Sequence, residues 1–78
     1  MNTQKEVIAA IAKHLAVTPA DIDISASLAE DLGLGPLEKA DLLSNLSSQF
    51  KVTFDPLEVE NIETVHDIVV MIEDLLIE

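Results

Sequence analysis

Carboxylates are the chemically active groups that this sequence has in excess, with fifteen Asp and Glu residues against four lysines and a net charge of −11. Such a charge repels nucleic-acid phosphates and anionic lipids, and it attracts a basic patch on another protein. The imbalance is greatest in residues 41–78, which hold nine of the acids and one lysine. We therefore expect basic-patch protein partners, without nucleic-acid or membrane binding. The simpler alternative is that the acids only keep a small domain in solution.

Other familiar chemistries find little support in the sequence. His14 and His66 are the only histidines, and neither has metal-ligand spacing to a partner. No strained nucleophile turn supports a Ser–His–Asp arrangement, and the two glycines do not form a phosphate-binding loop. A weak divalent cation could relieve the repulsion within one acidic group, although nothing indicates a built metal site. The members of that group are Glu30, Asp31, Glu38 and Asp41. We expect that this protein is not an enzyme.

The size and composition indicate one small domain, residues 1–78, that depends on aliphatic packing. The chain has no cysteine, so neither a disulfide nor a thiolate metal site can stabilise it, and Phe50 and Phe54 are its only aromatic residues. The first six residues lack the layout of a signal peptide. The apolar runs at residues 7–12 and 68–72 are too short to span a bilayer. We expect a cytoplasmic monomer.

Apolar residues at helical spacing predict four helices and no convincing strand. The helices cover about residues 3–15, 36–50 and 56–61, and the last opens at Thr64. Each begins at a start signal, either a polar capping residue or a proline at the first helical position. These signals are Asn2 or Thr3, Pro36, Asp55 with Pro56, and Thr64 with Asp67 as a capping box. Three longer helices, one short helix and a long first connection predict an all-α, small antiparallel four-helix bundle.

Each long helix has an apolar stripe that we expect to form the core. The three stripes are Val7, Ile8, Ile11 and Leu15; Leu42, Leu43, Leu46 and Phe50; and Val65, Ile68, Val69, Ile72 and Leu76. Val70 and Ile77 lie off the last stripe, so that helix is either well buried or touches a partner. Residues 51–54 are predicted to be an extended loop.

The connection over residues 16–35 is long for so small a domain, and connections of this length usually serve function. Apolar residues recur along it and should pack it against the helices. They are Val17, Ile22, Ile24, Leu28, Leu32 and Leu34. Within the connection we also predict a single capped turn, in which Thr18 is the N-cap, Pro19 comes first and Asp21 third.

One segment, residues 30–42, resembles the acyl carrier protein family. It reads Glu30-Asp31-Leu32-Gly33-Leu34-Gly35-Pro36-Leu37-Glu38-Lys39-Ala40-Asp41-Leu42. In that family, Asp-Leu-Gly, two further residues, then Ser-Leu and an acidic residue lead into the second helix, and the serine carries 4′-phosphopantetheine. The resemblance continues through Ser27-Leu28, Phe50 and Ile62-Glu63-Thr64-Val65. It implies the acyl-carrier fold and a role linked to fatty-acid or polyketide biosynthesis.

Pro36 departs from the family pattern, because it stands where the family has its serine; Gly35 stands where the family usually has aspartate. A phosphate at this place would benefit from free N–H groups and the positive end of the helix dipole. Proline keeps the helix start but has no hydroxyl, so no phosphodiester can form there. The serines elsewhere do not lie at a loop-to-helix junction, so we do not expect one to substitute. They are Ser25, Ser27, Ser44, Ser47 and Ser48.

The resemblance also implies two sets of site residues. Docking onto basic patches of biosynthetic enzymes would use Glu38, Asp41, Glu58, Glu60 and Glu63. An apolar interior able to hold an acyl chain would involve Leu42, Leu46, Phe50, Ile62, Ile68 and Ile72. The docking charge is thinner toward the end of the second helix, where the family often has acids and this chain has Ser47, Ser48 and Gln49.

Three functional hypotheses remain open from the sequence. In the first, the chain is a carrier-fold binding module that has no cofactor and acts by docking. In the second, it is a working acyl carrier protein that holds intermediates as thioesters on 4′-phosphopantetheine, which requires another attachment residue or a natural serine at position 36. In the third, it is an unrelated helical bundle that dimerises through Val70, Ile77 and their neighbours.

Overall fold

The computed structural model describes residues 2–76, which form four α-helices and one short turn. The elements are α1 (Thr3–Leu15), a 3₁₀ turn (Pro19–Asp21), α2 (Pro36–Phe50), α3 (Pro56–Asn61) and α4 (Val65–Leu76). The one β-type pairing among these residues is an isolated antiparallel bridge between Ser27 and Thr64. The predicted all-α bundle of three longer helices and one short helix is therefore confirmed. No helix in the described range is long and apolar enough to cross a membrane.

The predicted start signals begin the helices as expected. Asn2 Oδ1 accepts a hydrogen bond from Lys5 N at 3.1 Å, and it therefore caps α1. Pro36 and Pro56 occupy the first positions of α2 and α3. The Asp55 carboxylate caps α3 by accepting from Leu57 N at 2.8 Å. These local bonds satisfy N–H groups that the first turn of a helix leaves unpaired.

The capped turn predicted at Thr18 differs in one detail. The 3₁₀ turn is present, but the Thr18 hydroxyl donates to the Asp21 carboxylate at 2.9 Å and makes no capping bond to the backbone. A carboxylate three residues on competes for the hydroxyl, so the side chains bond each other.

The prediction of an extended loop over residues 51–54 also needs correction at its start. Lys51 has a left-handed backbone, with φ of 58°, and it ends α2.

The core is aliphatic, and no described residue that is buried carries a polar side chain. Helix α1 packs against α4, α2 and the 3₁₀ turn, so it lies at the centre of the bundle. The predicted stripes supply most of the buried side chains. The buried residues of the stripes are Val7, Ile11, Leu42, Leu43, Leu46, Val65, Ile68, Val69 and Ile72, and α1 also buries Ala10 and Ala12.

Ile8, Leu15, Ile24 and Leu32 are half-buried at the edge of the core, and three more residues predicted to pack in the interior are also more exposed than expected. Val17 is 41% exposed and Leu76 42% exposed, and Phe50 is only half-buried against the edge of the core. All three lie at the end of a helix or just past it, where the bundle offers few neighbours. Helical spacing indicates which face turns inward but does not say where the facing element stops. Ile77, part of the dimer hypothesis, lies outside the described residues.

The long connection is pinned to the segment between α3 and α4, and we call this contact the seam. Leu28 N–H donates to the Glu63 carbonyl at 2.9 Å, and Val65 N–H donates to the Ala26 carbonyl at 3.1 Å. His66 N–H donates to the Ile24 carbonyl at 2.8 Å. The seam holds residues 24–28 antiparallel to residues 63–66, so this part of the connection packs against the bundle as predicted.

The predicted capping box at the start of α4 is confirmed. Its Asp67 carboxylate also makes a further hydrogen bond and has a shifted pKa. Asp67 N–H donates to the Thr64 hydroxyl at 3.2 Å, while the Asp67 carboxylate accepts from Thr64 N at 3.1 Å and from Glu63 N at 2.9 Å. The Glu63 bond is the main reason why the pKa of the Asp67 carboxyl lies below its ordinary value; Thr64 and His66 act in the same direction, and partial burial opposes them. The charged form is therefore favoured in the folded protein.

We expect Asp67→Ala to lower the free energy of unfolding by about 1 kcal/mol at neutral pH, because a capping bond and a favoured charge are lost. A depressed folded-state pKa contributes stability above the unfolded-state pKa, and this contribution is lost as pH falls through the folded value. The gap between wild type and variant should therefore narrow below about pH 4. Urea unfolding followed by circular dichroism at neutral and acidic pH measures both effects. Asp74→Ala, an exposed site on the same helix, is the control. Equal destabilisation by both variants at every pH would contradict the assignment.

Candidate functional site at the start of α2

The junction between the long connection and α2 is built by a glycine and a proline. Gly35 is extended, with φ of −79° and ψ of 179°, and exposed Pro36 begins the helix. The first helical bond follows, from Lys39 N to the Gly35 carbonyl at 2.9 Å. The Glu38 carboxylate reaches back and accepts from Gly35 N at 3.0 Å. Glycine has no side chain that could bond the N–H of Glu38 in return, so the cap is one-sided. Because residue 36 is proline, the junction also presents no hydroxyl there.

The Glu38 carboxylate also occupies the space beside the Gly35 α-carbon. A Cβ atom added to Gly35 would lie 2.7 Å from Glu38 Oε1, which is closer than real Cβ contacts allow. The obstacle is the end of a flexible side chain, so it can move, but moving it breaks the bond to Gly35 N. Gly35 and Glu38 therefore form one coupled local unit.

The five acids predicted for docking are all exposed. Glu38 and Asp41 lie on α2, Glu58 and Glu60 on α3, and Glu63 just after α3. Two of the acids also have partners within the chain. Glu38 holds Gly35 N, and the Asp41 carboxylate lies 3.4 Å from His14 Nε2 at the end of α1. His14 is half-buried but Asp41 is largely exposed, and a pair with one exposed member is weak, so Asp41 stays open to a stronger partner.

An open cavity of about 620 Å³ lies beside the junction, and we call it the α2–α3 cavity. Its apolar lining includes Leu28, Leu34, Val59 and Ile62, and Pro36 and Ala40 lie at its edge on α2. Its charged rim comprises Glu30, Lys39, Glu60 and Glu63. A cavity of this size with apolar walls and a few polar groups is typical of a binding pocket.

Only Ile62 among the residues predicted for an acyl pocket lines the α2–α3 cavity. Leu42, Leu46, Ile68 and Ile72 are fully buried within the core instead. Phe50 lines a smaller cleft of about 380 Å³ on the α1 side of α2. Two of the apolar lining residues of the α2–α3 cavity, Leu28 and Leu34, come from the long connection, which the sequence pattern predicted only to pack against the helices. That an acyl chain enters the interior stays a prediction.

The hydroxyls of three serines are held by bonds within the chain. Ser25 Oγ donates to the Asp23 carboxylate at 2.8 Å, Ser27 Oγ accepts from Glu30 N at 3.1 Å, and Ser47 Oγ donates to the Val52 carbonyl. Ser44 and Ser48 are exposed in the middle of α2. None of the five lies at a helix start, which supports the prediction that no serine replaces a hydroxyl at position 36.

Three of the four acids considered as a weak cation site have separate partners. The Asp31 carboxylate accepts from Ser27 N at 2.7 Å, while Glu38 and Asp41 have the partners described above. Across residues 2–76, no three His, Asp or Glu side chains gather closely enough to hold a metal ion.

Three residues at the site went unnoticed in the sequence. Leu37 is 79% exposed and Leu57 71% exposed, the largest values among the bulky apolar side chains described. Both fall in the first turn of a helix, away from its buried stripe, and that offset was the signal available. Lys39 is half-buried at the cavity rim, and no local pattern distinguishes it from an ordinary surface lysine.

Comparison with known proteins identifies relatives over most of the chain. The family described as "Phosphopantetheine attachment site" matches residues 5–72. The acyl carrier protein of Exiguobacterium sibiricum is 35% identical over 68 residues, covering 87% of this chain and 86% of the relative. The acyl carrier protein of Thermotoga maritima is 38% identical over 66 residues, covering 85% and 82%. That of Chlamydia trachomatis is 28% identical over 74 residues, covering 95% and 96%.

The contact between Gly35 and Glu38 can be tested by a double-mutant cycle. We expect Gly35→Ala to displace the Glu38 carboxylate and break its bond to Gly35 N, so the two sites should couple by about 1 kcal/mol. The cycle uses Gly35→Ala, Glu38→Ala and the double variant, with unfolding free energies from urea titration. Gly35→Ala paired with Glu58→Ala serves as the uncoupled control. A coupling free energy near zero for the first pair would show that Glu38 does not hold Gly35.

Proposed function

The chain belongs to the phosphopantetheine-attachment-site family, and from this premise we propose that it is an acyl-carrier-like binding module that docks onto acyl-biosynthetic enzymes without carrying phosphopantetheine. Acyl carrier proteins are carriers and not catalysts, so the proposed role requires no enzyme activity. Membership of the family excludes the third hypothesis, an unrelated helical bundle. We propose that the protein works as a cytoplasmic monomer.

The observation that carries the proposal is the residue at the start of α2. Attachment of 4′-phosphopantetheine needs a side-chain oxygen that can form a phosphodiester, and Pro36 has none. Proline nevertheless satisfies the backbone at a first helical position, because the N–H that it lacks would be unpaired there. The substitution therefore removes attachment chemistry while keeping the helix start. The bonded hydroxyls of Ser25, Ser27 and Ser47 add support, and exposed Ser44 and Ser48 lie within α2, away from a helix start.

Docking is supported by charge and exposure together. Glu38, Asp41, Glu58, Glu60 and Glu63 are exposed around the site, and the chain has a net charge of −11. Acids of this kind steer encounter with a basic patch and help select the partner. Leu37 and Leu57 add exposed apolar surface on the same two helices. Apolar side chains inside a charged surround are a common composition for a protein interface.

The alternative is a working acyl carrier protein, which is the name that the three relatives carry. It requires attachment at a residue other than Pro36 in protein of this sequence. The two functions differ in a covalent product, so mass spectrometry separates them.

We expect no phosphopantetheine adduct when this protein is co-expressed with a promiscuous phosphopantetheinyl transferase, because position 36 has no hydroxyl. Intact-mass spectrometry measures the outcome. Pro36→Ser should gain the adduct, and Ser44→Ala in the wild-type background should change nothing. Gly35→Asp is best introduced only after Pro36→Ser, since a side chain at Gly35 displaces Glu38. An adduct on the wild-type chain would overturn the proposal and establish the alternative.

Docking predicts competition with a true carrier. We expect the wild-type protein to inhibit a carrier-dependent acyltransferase assayed with its own acyl carrier protein, and added salt should weaken this inhibition. Charge reversal by Asp41→Lys combined with Glu58→Lys should raise the inhibition constant about tenfold or more. Glu73→Lys combined with Asp74→Lys, at two exposed acids on α4, is the matched control and should change the inhibition constant little. Equal effects of the site and control reversals would mean that only net charge matters.

A further inference from the structure

The α2–α3 cavity has no part in the proposed loss of cofactor attachment, yet it is the largest cavity described at the site. Leu28, Leu34 and Ile62 line its interior as buried side chains, and Val59 lines it as a half-buried one. Its volume of about 620 Å³ exceeds what a single side chain fills. The cavity can therefore accept several apolar groups at once.

The lining of the cavity is fixed by backbone hydrogen bonds. Leu28 N–H donates to the Glu63 carbonyl at 2.9 Å, and Leu34 N–H donates to the Leu28 carbonyl at 2.8 Å. Both bonds join segments that line the cavity. A lining already held in place needs little further ordering when an occupant binds, and this favours affinity.

The rim of the cavity is acidic. Glu30, Glu60 and Glu63 are exposed there, with Lys39 as the single lysine among the lining residues. Within residues 2–76 the one contact of ion-pair type joins His14 to Asp41, so no rim carboxylate has a lysine nitrogen within 4 Å. An acidic rim attracts a cationic occupant and repels a fatty carboxylate or a phosphate. The charge of the rim therefore favours apolar groups that are attached to cations over those that are attached to a carboxylate or a phosphate.

We infer that the α2–α3 cavity receives the apolar ridge of a basic amphipathic helix on a partner protein. Apolar side chains at helical spacing form such a ridge, and flanking Lys or Arg side chains would meet Glu30, Glu60 and Glu63. Exposed Leu37, next to Pro36 at the cavity edge, extends the apolar surface that the helix would cover. The inference rests on the proposed docking function and specifies the partner's chemistry.

A titration of isotope-labelled protein with a synthetic helical peptide tests this assignment by NMR. The peptide has leucines at positions i, i+3, i+4 and i+7 and arginines on both flanks. We expect saturable binding with amide shifts at Leu28, Leu34 and Ile62. A peptide with alanine for every leucine should bind about tenfold more weakly, and one with glutamate for every arginine should not bind.

Matched variants separate the cavity from general charge attraction. Ala29 and Ala40 are exposed and line the cavity, so Ala29→Trp and Ala40→Trp should block it and weaken peptide binding about tenfold. Ser44 lies one turn further along α2, outside the cavity lining. Ser44→Trp should therefore change peptide binding by less than about twofold. Circular dichroism checks the fold of each variant. Glu60→Gln combined with Glu63→Gln should weaken binding and reduce its salt dependence.

Three results would overturn the inference. The first is equal binding of the leucine and alanine peptides, and the second is wild-type affinity in both cavity-blocking variants. The third is amide shifts on the cavity lining caused by decanoic acid or 1-decanol but not by the peptide, which would assign the cavity to a free acyl chain. The competition assay separates the two proposals. Inhibition that persists undiminished in Ala40→Trp overturns the cavity assignment alone, whereas a wild-type protein that does not inhibit overturns docking itself.

Discussion

Three backbone hydrogen bonds join residues 24–28 to residues 63–66, and the arrangement of the site depends on this seam. They turn a connection with little regular structure into a fixed lining, because its buried backbone groups find partners. Since α2 begins where the connection ends, the seam also sets the position of Pro36 relative to α3. The cavity and the helix start thus share one support, and among the described residues the core beneath them is aliphatic, in a chain without cysteine.

Local features of the site were accessible from sequence, and long-range ones were not. The helix starts at Pro36 and Pro56 and the Thr64 capping box follow from residues within one turn of each other, so pattern reasoning located them. The seam and the contact of His14 with Asp41 join residues far apart in the chain. Periodicity carries no information about such pairs. The same gap explains why the connection was predicted to pack but not to line a cavity.

The start of α2 combines retained architecture with altered chemistry. Pro36 preserves the helix start, and Glu38 supplies the cap that glycine cannot give. Glu38 is also one of the exposed acids proposed for docking, so a partner that captured its carboxylate would release Gly35 N. Recognition at this face is therefore linked to the stability of the first turn of α2. This link would be weaker if the residue before the helix capped it with its own side chain.

Glu63 connects features that look separate along the chain. Its N–H is held by the Asp67 carboxylate, its carbonyl accepts from Leu28, and its side chain stands on the cavity rim. We therefore expect fraying of the first turn of α4 to release one side of the cavity as well, so that the two open together in native-state hydrogen exchange. Because neutralising Asp67 weakens its hold on Glu63 N, we expect acidification to raise the population of that opened form next to the cavity.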